Sequence, residues 1–339
     1  MPDIHQWSDI KDRFQGGALL LGNGASLAVH KGFGYPSLRQ AAEDQGHITP
    51  EVAGVFRAFG KDDFELVLRR LWEATLVNKA LGIEPGQIEK AYQLVRSALI
   101  STVRDIHISH DDAKRHFAPM FQFMKTFDTV FSLNYDLLVY WAMMASQGKL
   151  RRWFKDGFQE GGVFREDWET LRKPYGADGT TLVFYPHGSL LTARRDDYTE
   201  GKLTLPLGGG ATLLDRILEL WETGSASPLF VSEGTAEQKK KSIANSNYLS
   251  RVFREALPNA GESLVIYGWA ISEQDAHILG QLRCTGSSLR RVAVSVYGGS
   301  QASAQQAEDA LAAVGVKEVL FFDAESPGCW IHPEEPPSP

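Results

Sequence analysis

A short apolar run that leads into two closely spaced glycines is the feature that most constrains the fold of this chain. Residues 18–21 (Ala-Leu-Leu-Leu) are followed by Gly22-Asn23-Gly24-Ala25-Ser26. The run predicts a buried strand. The glycines predict a tight turn, because glycine adopts a positive φ without strain and has no Cβ to keep a ligand away from the backbone. Successive N–H groups in such a turn can bind an anion such as phosphate, although many turns of this composition only reverse the chain.

Further short apolar segments alternate with amphipathic ones along the chain. Strands are predicted at residues 127–133, 181–185, 228–231, 263–269, 292–296 and 319–322. Residues 50–125 carry apolar side chains at three- and four-residue spacing, which predicts a helical insertion after the first strand. The alternation predicts an α/β fold with a doubly wound, mainly parallel sheet covered on both faces. We expect one domain over residues 1–330, followed by a flexible tail at 331–339.

Composition and charge exclude several classes of function. The chain has 339 residues, of which 43% are hydrophobic and 23% charged, as is typical of soluble globular proteins. A net charge of -7 provides no electrostatic attraction for nucleic acid. No apolar run approaches the roughly 18 residues that span a bilayer, and the N-terminus does not resemble a signal peptide, so we expect a cytoplasmic protein without a membrane partner. Two cysteines, Cys284 and Cys329, are too few for an all-thiolate zinc site, and we expect no metal.

Polar or small residues lie at the carboxyl ends of four of the predicted strands. Besides residues 22–26, they are Asn134-Tyr135-Asp136, His187-Gly188-Ser189 and Gly268. Ligands of parallel sheets bind outside the carboxyl ends of the strands, so these residues predict one convergent site. A histidine can accept a proton at neutral pH, and an asparagine can position a water through its donor and acceptor groups. The alternatives are structural: His187 as a turn residue, Asp136 as a helix cap and Asn134 as a turn stabiliser.

The order of these motifs resembles that of the sirtuins and their bacterial sirtuin-like, NAD-cleaving relatives. Sirtuins open with Gly-Ala-Gly-Ile-Ser and Gly-Ile-Pro-x-Phe-Arg, which are similar to residues 22–26 and to Gly34-Tyr35-Pro36-Ser37-Leu38-Arg39. Their Thr-Gln-Asn-Ile-Asp is similar to residues 132–136, and their catalytic His-Gly to His187-Gly188. More closely, residues 184–188 (Phe-Tyr-Pro-His-Gly) and 267–269 (Tyr-Gly-Trp) are similar to a bacterial sirtuin-like, NAD-hydrolase-type family without the zinc module.

This resemblance implies a Rossmann-type fold with NAD as the ligand or substrate. The NAD diphosphate would lie on Gly22, Asn23, Gly24, Ala25 and Ser26. Arg39 would contact a phosphate or ribose, and Gly268, with Gly298 as a weaker match, would line the adenosine side. Asn134 would lie beside the nicotinamide ribose, Asp136 would hold the carboxamide, and His187 would act as the general base.

One departure from the sirtuin pattern favours NAD hydrolysis over protein deacylation. Deacylating sirtuins carry a four-cysteine zinc module after the histidine, and here no cysteine lies between His187 and Cys284. We therefore expect hydrolysis of NAD to nicotinamide and ADP-ribose, with antiviral defence as the role that relatives of this type suggest. The alternatives are a non-catalytic NAD or ADP-ribose sensor and, less favoured, a protein deacylase. A second copy of the chain or an effector is the expected protein partner.

Two charged or polar features outside these motifs have simpler interpretations. Lys239-Lys240-Lys241 is expected to be a solvated helix face. His277, on a predicted helix, is expected to be a surface or packing residue. The segment from Phe33 to Arg39 is rich in turn residues and could fold back over a ligand held at Gly22 and Gly24.

Overall fold

The computed structural model describes residues 2–60, 63–84, 86–145, 153–174, 177–195, 199–203, 212–231 and 233–334. Its strands are β1 (Ile4–His5), β2 (Ala18–Leu21), β3 (Thr129–Ser132), β4 (Phe154–Lys155), β5 (Thr181–Phe184), β6 (Gly188–Arg194), β7 (Glu200–Lys202), β8 (Ser227–Phe230), β9 (Ser263–Tyr267), β10 (Arg291–Val296) and β11 (Glu318–Asp323). Eight of them form one sheet in the order β1-β11-β10-β9-β2-β3-β5-β4, with neighbours parallel throughout.

The strand order of this sheet is that of a Rossmann-type doubly wound fold. Taken in chain order, β5-β3-β2-β9-β10-β11 is the arrangement 3-2-1-4-5-6, extended by β4 at one edge and β1 at the other. The chain proceeds from β2 to one side through β3 and returns on the other side through β9. The order therefore reverses between β2 and β9, which is where sheets of this kind bind ligands. The predicted fold class is confirmed.

Helices flank the sheet. In chain order they are α1 (Trp7–Ile10), α2 (Asn23–Val29), α3 (Leu38–Asp44), α4 (Pro50–Phe59), α5 (Phe64–Ala80), α6 (Gly86–Ile106), α7 (His110–Ala113), α8 (Phe117–Met124), α9 (Leu138–Ala145), α10 (Leu213–Thr223), α11 (Ala236–Ala244), α12 (Asn247–Arg251), α13 (Ala276–Leu282) and α14 (Gln301–Ala313). A π-helical turn, Val252–Ala256, follows α12. Helices α4 to α8 occupy the stretch predicted as a helical insertion.

Local sequence explains where these helices begin and end. The Thr49 hydroxyl accepts the Val52 N–H at 3.3 Å at the start of α4, and Gly60 ends that helix in the left-handed conformation. The longest helix, α6, buries an apolar stripe that includes Val95, Leu99 and Val103.

Among the described residues, no helix is both long and apolar enough to cross a membrane.

A second sheet was missed by the sequence analysis. Strands β7, β6 and β8 form an antiparallel sheet that begins directly after His187. The chain reverses between Tyr185 and Gly188, where the Gly188 N–H donates to the Tyr185 carbonyl at 2.9 Å and Gly188 has a φ of 75°. Because β6 is buried along nearly its whole length, it lacks the alternation that marks a half-exposed strand.

The C-terminal part of the chain returns to the first turn. The indole N–H of Trp330 donates to the Ala25 carbonyl at 2.8 Å, and the Gly328 N–H donates to the His332 carbonyl at 2.7 Å. Residues 335–339 of the expected flexible tail lie outside the described residues.

Candidate functional site

The carboxyl ends of β2, β3, β5 and β9 bring the predicted site residues to one edge of the sheet. Strand β2 pairs with β3 on one side and with β9 on the other, and β3 pairs with β5. The Gly22 N–H after β2 donates to the Tyr267 carbonyl of β9 at 3.0 Å. The Gly22 carbonyl accepts from Asn134 Nδ2, after β3, at 2.9 Å. Residues that are far apart in sequence therefore meet around Gly22.

Ser26, Asn134 and Asp136 form a buried hydrogen-bonded network at this edge. Asn134 Nδ2 also donates to Ser26 Oγ at 2.8 Å, and the Ser26 hydroxyl donates to the Asp136 carboxylate. The other Asp136 oxygen accepts the Leu138 N–H at 2.9 Å, so Asp136 also caps α9. Burial raises the pKa of Asp136, although nearby His107 and the Ser26 hydrogen bond oppose that shift.

The first turn, at residues 22–24, packs against the turn that follows β9, at residues 268–269. This close packing is the reason that Gly22 and Gly24 must be glycines. A Cβ on Gly22 would lie 2.6 Å from Trp269 Cα, and one on Gly24 would lie 2.8 Å from Gly268 Cα. The φ of Gly22 is -104°, and Gly24 lies inside α2, so the expectation of positive φ at these two glycines is wrong. Gly268 does have a positive φ, 67°, and a Cβ there would lie 2.3 Å from the Ala25 nitrogen.

Most of the polar groups expected to hold a diphosphate have partners within the protein. The N–H groups of Gly22, Gly24 and Ala25 donate to the carbonyls of residues 267, 268 and 22 at 3.0, 2.7 and 2.9 Å. Asn23 Nδ2 donates to the Phe33 carbonyl at 3.1 Å, and the Ser26 hydroxyl belongs to the network described above.

Arg39, in α3, contacts Glu233, which follows β8 of the second sheet. Its N–H donates to Glu233 Oε1 at 3.1 Å, while its guanidinium pairs with Glu43 and lies 4.5 Å from the centre of the Phe56 ring. The preceding segment contacts the end of β3, where the hydroxyl of Tyr35 hydrogen-bonds to that of Tyr135. Gly298 lies in an exposed turn directly after β10.

His187 is buried after β5 and is paired with a second histidine. Its Nε2 lies 2.9 Å from Nε2 of His277, which is on α13 and is also buried. Asp275, just before α13, accepts from Lys239 Nζ at 2.7 Å and from Trp269 Nε1 at 3.2 Å. Trp269 also packs against Gly22, whose carbonyl accepts from Asn134. Trp269 and Asp275 therefore lie between the Asn134 network and the histidine pair.

The electrostatics keep both histidines neutral. Burial, reinforced by the positive charge of Lys239, lowers the pKa of His187 to about 3. Burial likewise lowers the pKa of His277 to about 4. Burial alone would raise the pKa of Asp275, but the charge of the Lys239 ammonium and the hydrogen bonds from Lys239 and Trp269 act in the opposite direction, and the pKa is lowered, so this carboxylate is ionised.

Sequence reasoning did not identify His277 and Lys239 as part of this edge. The expectation of a solvated face is wrong for Lys239, which is buried and ion-paired, whereas Lys240 and Lys241 are exposed. The available signal was the position of Lys239 four residues before Ile243, on the face of α11 that is buried. For His277 no comparable signal exists, because its partner is 90 residues away in sequence.

One family model, described as a domain of unknown function (DUF4917), matches residues 19–330. The chain belongs to the DUF4917 family. The match begins in β2 and ends at Trp330, so it includes every predicted site residue. No curated protein matches the chain. DUF4917 membership is thus compatible with the site described here but does not assign a reaction to it.

Proposed function

We propose that this DUF4917 chain binds NAD at the carboxyl ends of β2, β3 and β5 and hydrolyses the nicotinamide–ribose bond. The observation that carries the proposal is the position of the Ser26–Asn134–Asp136 network after β2 and β3, and of a buried neutral histidine after the neighbouring strand β5, at the same edge of the sheet. The resemblance of the same residues to the sirtuin motifs supports it. The products are nicotinamide and ADP-ribose.

The chemistry of this reaction suits such a site. The carbon–nitrogen bond breaks, nicotinamide leaves with the bonding electron pair, and positive charge develops on the ribose. A carboxylate such as Asp136 can orient the substrate and offset that charge. Water then bonds to the ribose carbon and its proton passes to His187, which is neutral and can accept it. Asn134 Nδ2 donates both of its hydrogen bonds within the protein, to Gly22 and Ser26, so the amide oxygen of Asn134 is assigned to the water or the ribose.

The contacts to the diphosphate differ from the arrangement that the resemblance implies. Because the N–H groups of Gly22, Gly24 and Ala25 donate to backbone carbonyls, we assign these residues to shaping the turn. Asn23 and Arg39 stay in the proposal as contacts of the phosphates and riboses because these are side-chain groups, and each would exchange its present partner, the Phe33 carbonyl or Glu43, for the ligand.

A second candidate is a sensor that binds NAD without cleaving it. The observation in its favour is the pKa of His187, about 3, because a general base works best when its pKa lies near the working pH. Such a protein would report the ligand to a second copy of itself or to an effector.

One experiment separates these functions. Purified wild-type protein is incubated with NAD, free nicotinamide and ADP-ribose are quantified by chromatography, and NAD binding is measured by calorimetry. His187→Gln tests the base, and His5→Gln on edge strand β1 is the matched control. We expect cleavage by the wild type and the control, and turnover lower by about 10² to 10⁴ in His187→Gln with NAD affinity within a few-fold.

The other outcomes are equally informative. Tight binding without cleavage would favour the sensor. Nicotinamide release that requires an acylated peptide would favour deacylation. Absence of NAD binding would contradict both proposals, and full turnover by His187→Gln would remove this residue from the reaction.

A further inference from the structure

We infer that His277 is a positioning residue that holds His187 with its proton on Nε2, leaving Nδ1 free to accept a proton. The inference rests on the proposed function and deepens it. The two Nε2 atoms lie 2.9 Å apart, which is hydrogen-bonding distance. Two unprotonated nitrogens would repel at this distance and two N–H groups would clash, so one ring donates and the other accepts.

The direction of this hydrogen bond decides whether His187 can work as a base. If His187 donates from Nε2, its Nδ1 carries a lone pair that can take the proton of water. If His277 donates instead, His187 is protonated on Nδ1 and cannot accept a proton there. The proposed role of His187 as the base therefore selects the first direction. A second group that selects the tautomer of a catalytic histidine is the principle of the catalytic triad.

Three elements hold His277 in place. The turn before α13 is fixed by Asp275, which accepts from Lys239 of α11 and from Trp269 after β9. The Phe253 ring, from the π-helical turn, lies at 6.0 Å from the His277 ring with an angle of 25° between their planes. The charges that act on the histidine pair are those of Lys239, Lys240 and Asp275.

His187, Asp275 and His277 are also residue types that bind divalent metal ions, and their ligand atoms lie within 4.8 Å of one another. A metal site is nevertheless the weaker interpretation, for two physical reasons. Both oxygens of Asp275 already accept hydrogen bonds, one from an ammonium 2.7 Å away. A divalent cation between these residues would lie close to the positive charge of Lys239, which is itself buried.

The test uses the different reach of glutamine and asparagine. The amide oxygen of His277→Gln can occupy the position of Nε2 and accept the proton of His187, whereas that of His277→Asn ends near the position of Nδ1. Protein labelled with ¹⁵N in its histidines is studied by long-range ¹H–¹⁵N NMR, which distinguishes the two tautomers. We expect His187 to carry its proton on Nε2 in the wild type and in His277→Gln, and to populate both tautomers in His277→Asn.

Kinetics provide the second readout. We expect kcat for NAD cleavage to fall in His277→Asn by between about 10-fold and 10⁴-fold, the upper figure being the cost of a wrong tautomer in a catalytic triad. KM should stay within a few-fold, and His277→Gln should recover most of kcat. This pattern separates positioning from a general loss of fold, which would affect both variants.

Three results would overturn the inference: a proton on Nδ1 of His187 in the wild type, equal behaviour of the Gln and Asn variants, or stoichiometric metal in purified protein by elemental analysis. If the wild type does not cleave NAD, the proposed function fails, while the NMR measurement still decides the tautomer. The two failures are therefore distinguishable.

Discussion

Replacing Gly24 by alanine separates two explanations of the first turn. If the glycine exists to let a ligand approach, Gly24→Ala should fold normally and lose NAD binding. The structure supports the other explanation, since the new Cβ would lie 2.8 Å from both the Cα and the carbonyl oxygen of Gly268. Both are backbone atoms, and the turn after β9 is itself fixed by the hydrogen bond from the Gly24 N–H to the Gly268 carbonyl at 2.7 Å.

The size of the effect follows from two opposing contributions. Overpacking costs about 1–3 kcal/mol, and we take about 3 kcal/mol because neither backbone atom can move aside independently. Gly24 lies within α2, where alanine is favoured over glycine by up to about 1 kcal/mol. The net expectation is a loss of about 2 kcal/mol in the free energy of unfolding.

The matched control is Gly280→Ala. Gly280 also lies in a short helix, α13, but a Cβ there meets no atom within 4 Å. We expect this variant to gain up to about 1 kcal/mol, so the two variants should differ by about 3 kcal/mol in urea unfolding followed by circular dichroism. An unfolding free energy for Gly24→Ala at or above that of the wild type would refute the packing argument.

Two further predictions concern the buried polar groups. In the folded protein the pKa of His187 is about 3, below the 6.5 of an unfolded chain, so the unfolded state binds more protons as the pH falls. The stability of the wild type relative to His187→Gln should therefore decrease by about 2 kcal/mol between pH 7 and pH 5, and an unchanged difference would contradict the burial of a neutral ring. Ser26→Ala removes the partner of both Asn134 and Asp136 and should cost about 1–3 kcal/mol in urea unfolding. Exposed Ser8→Ala should stay within about 0.5 kcal/mol, and equal effects of the two serine variants would count against the network.

Much of the architecture was predictable because it depends on local pattern. Strands β2, β3 and β5 are buried at every position, and uninterrupted apolar runs mark such strands in sequence. Strand β6 was not predicted, because its buried residues include Gly188, Ser189 and Thr192 and therefore form neither an apolar run nor a regular alternation. Asn134 and Asp136 were identified because polar residues directly after a buried strand must lie at the carboxyl edge of the sheet.

Tertiary structure decided what those residues do. A glycine in sequence does not reveal what lies beside it, and only the packing of Gly24 on Gly268 shows that a second turn occupies the space expected for a ligand. The pairing of His187 with His277 and the burial of Lys239 depend on contacts between elements that are distant along the chain. Periodicity encodes which face of a helix or strand is apolar, so the sequence by itself determined the layers of the fold. It carries no record of which polar side chains meet across those layers, because that depends on strand order and on the desolvation that accompanies packing.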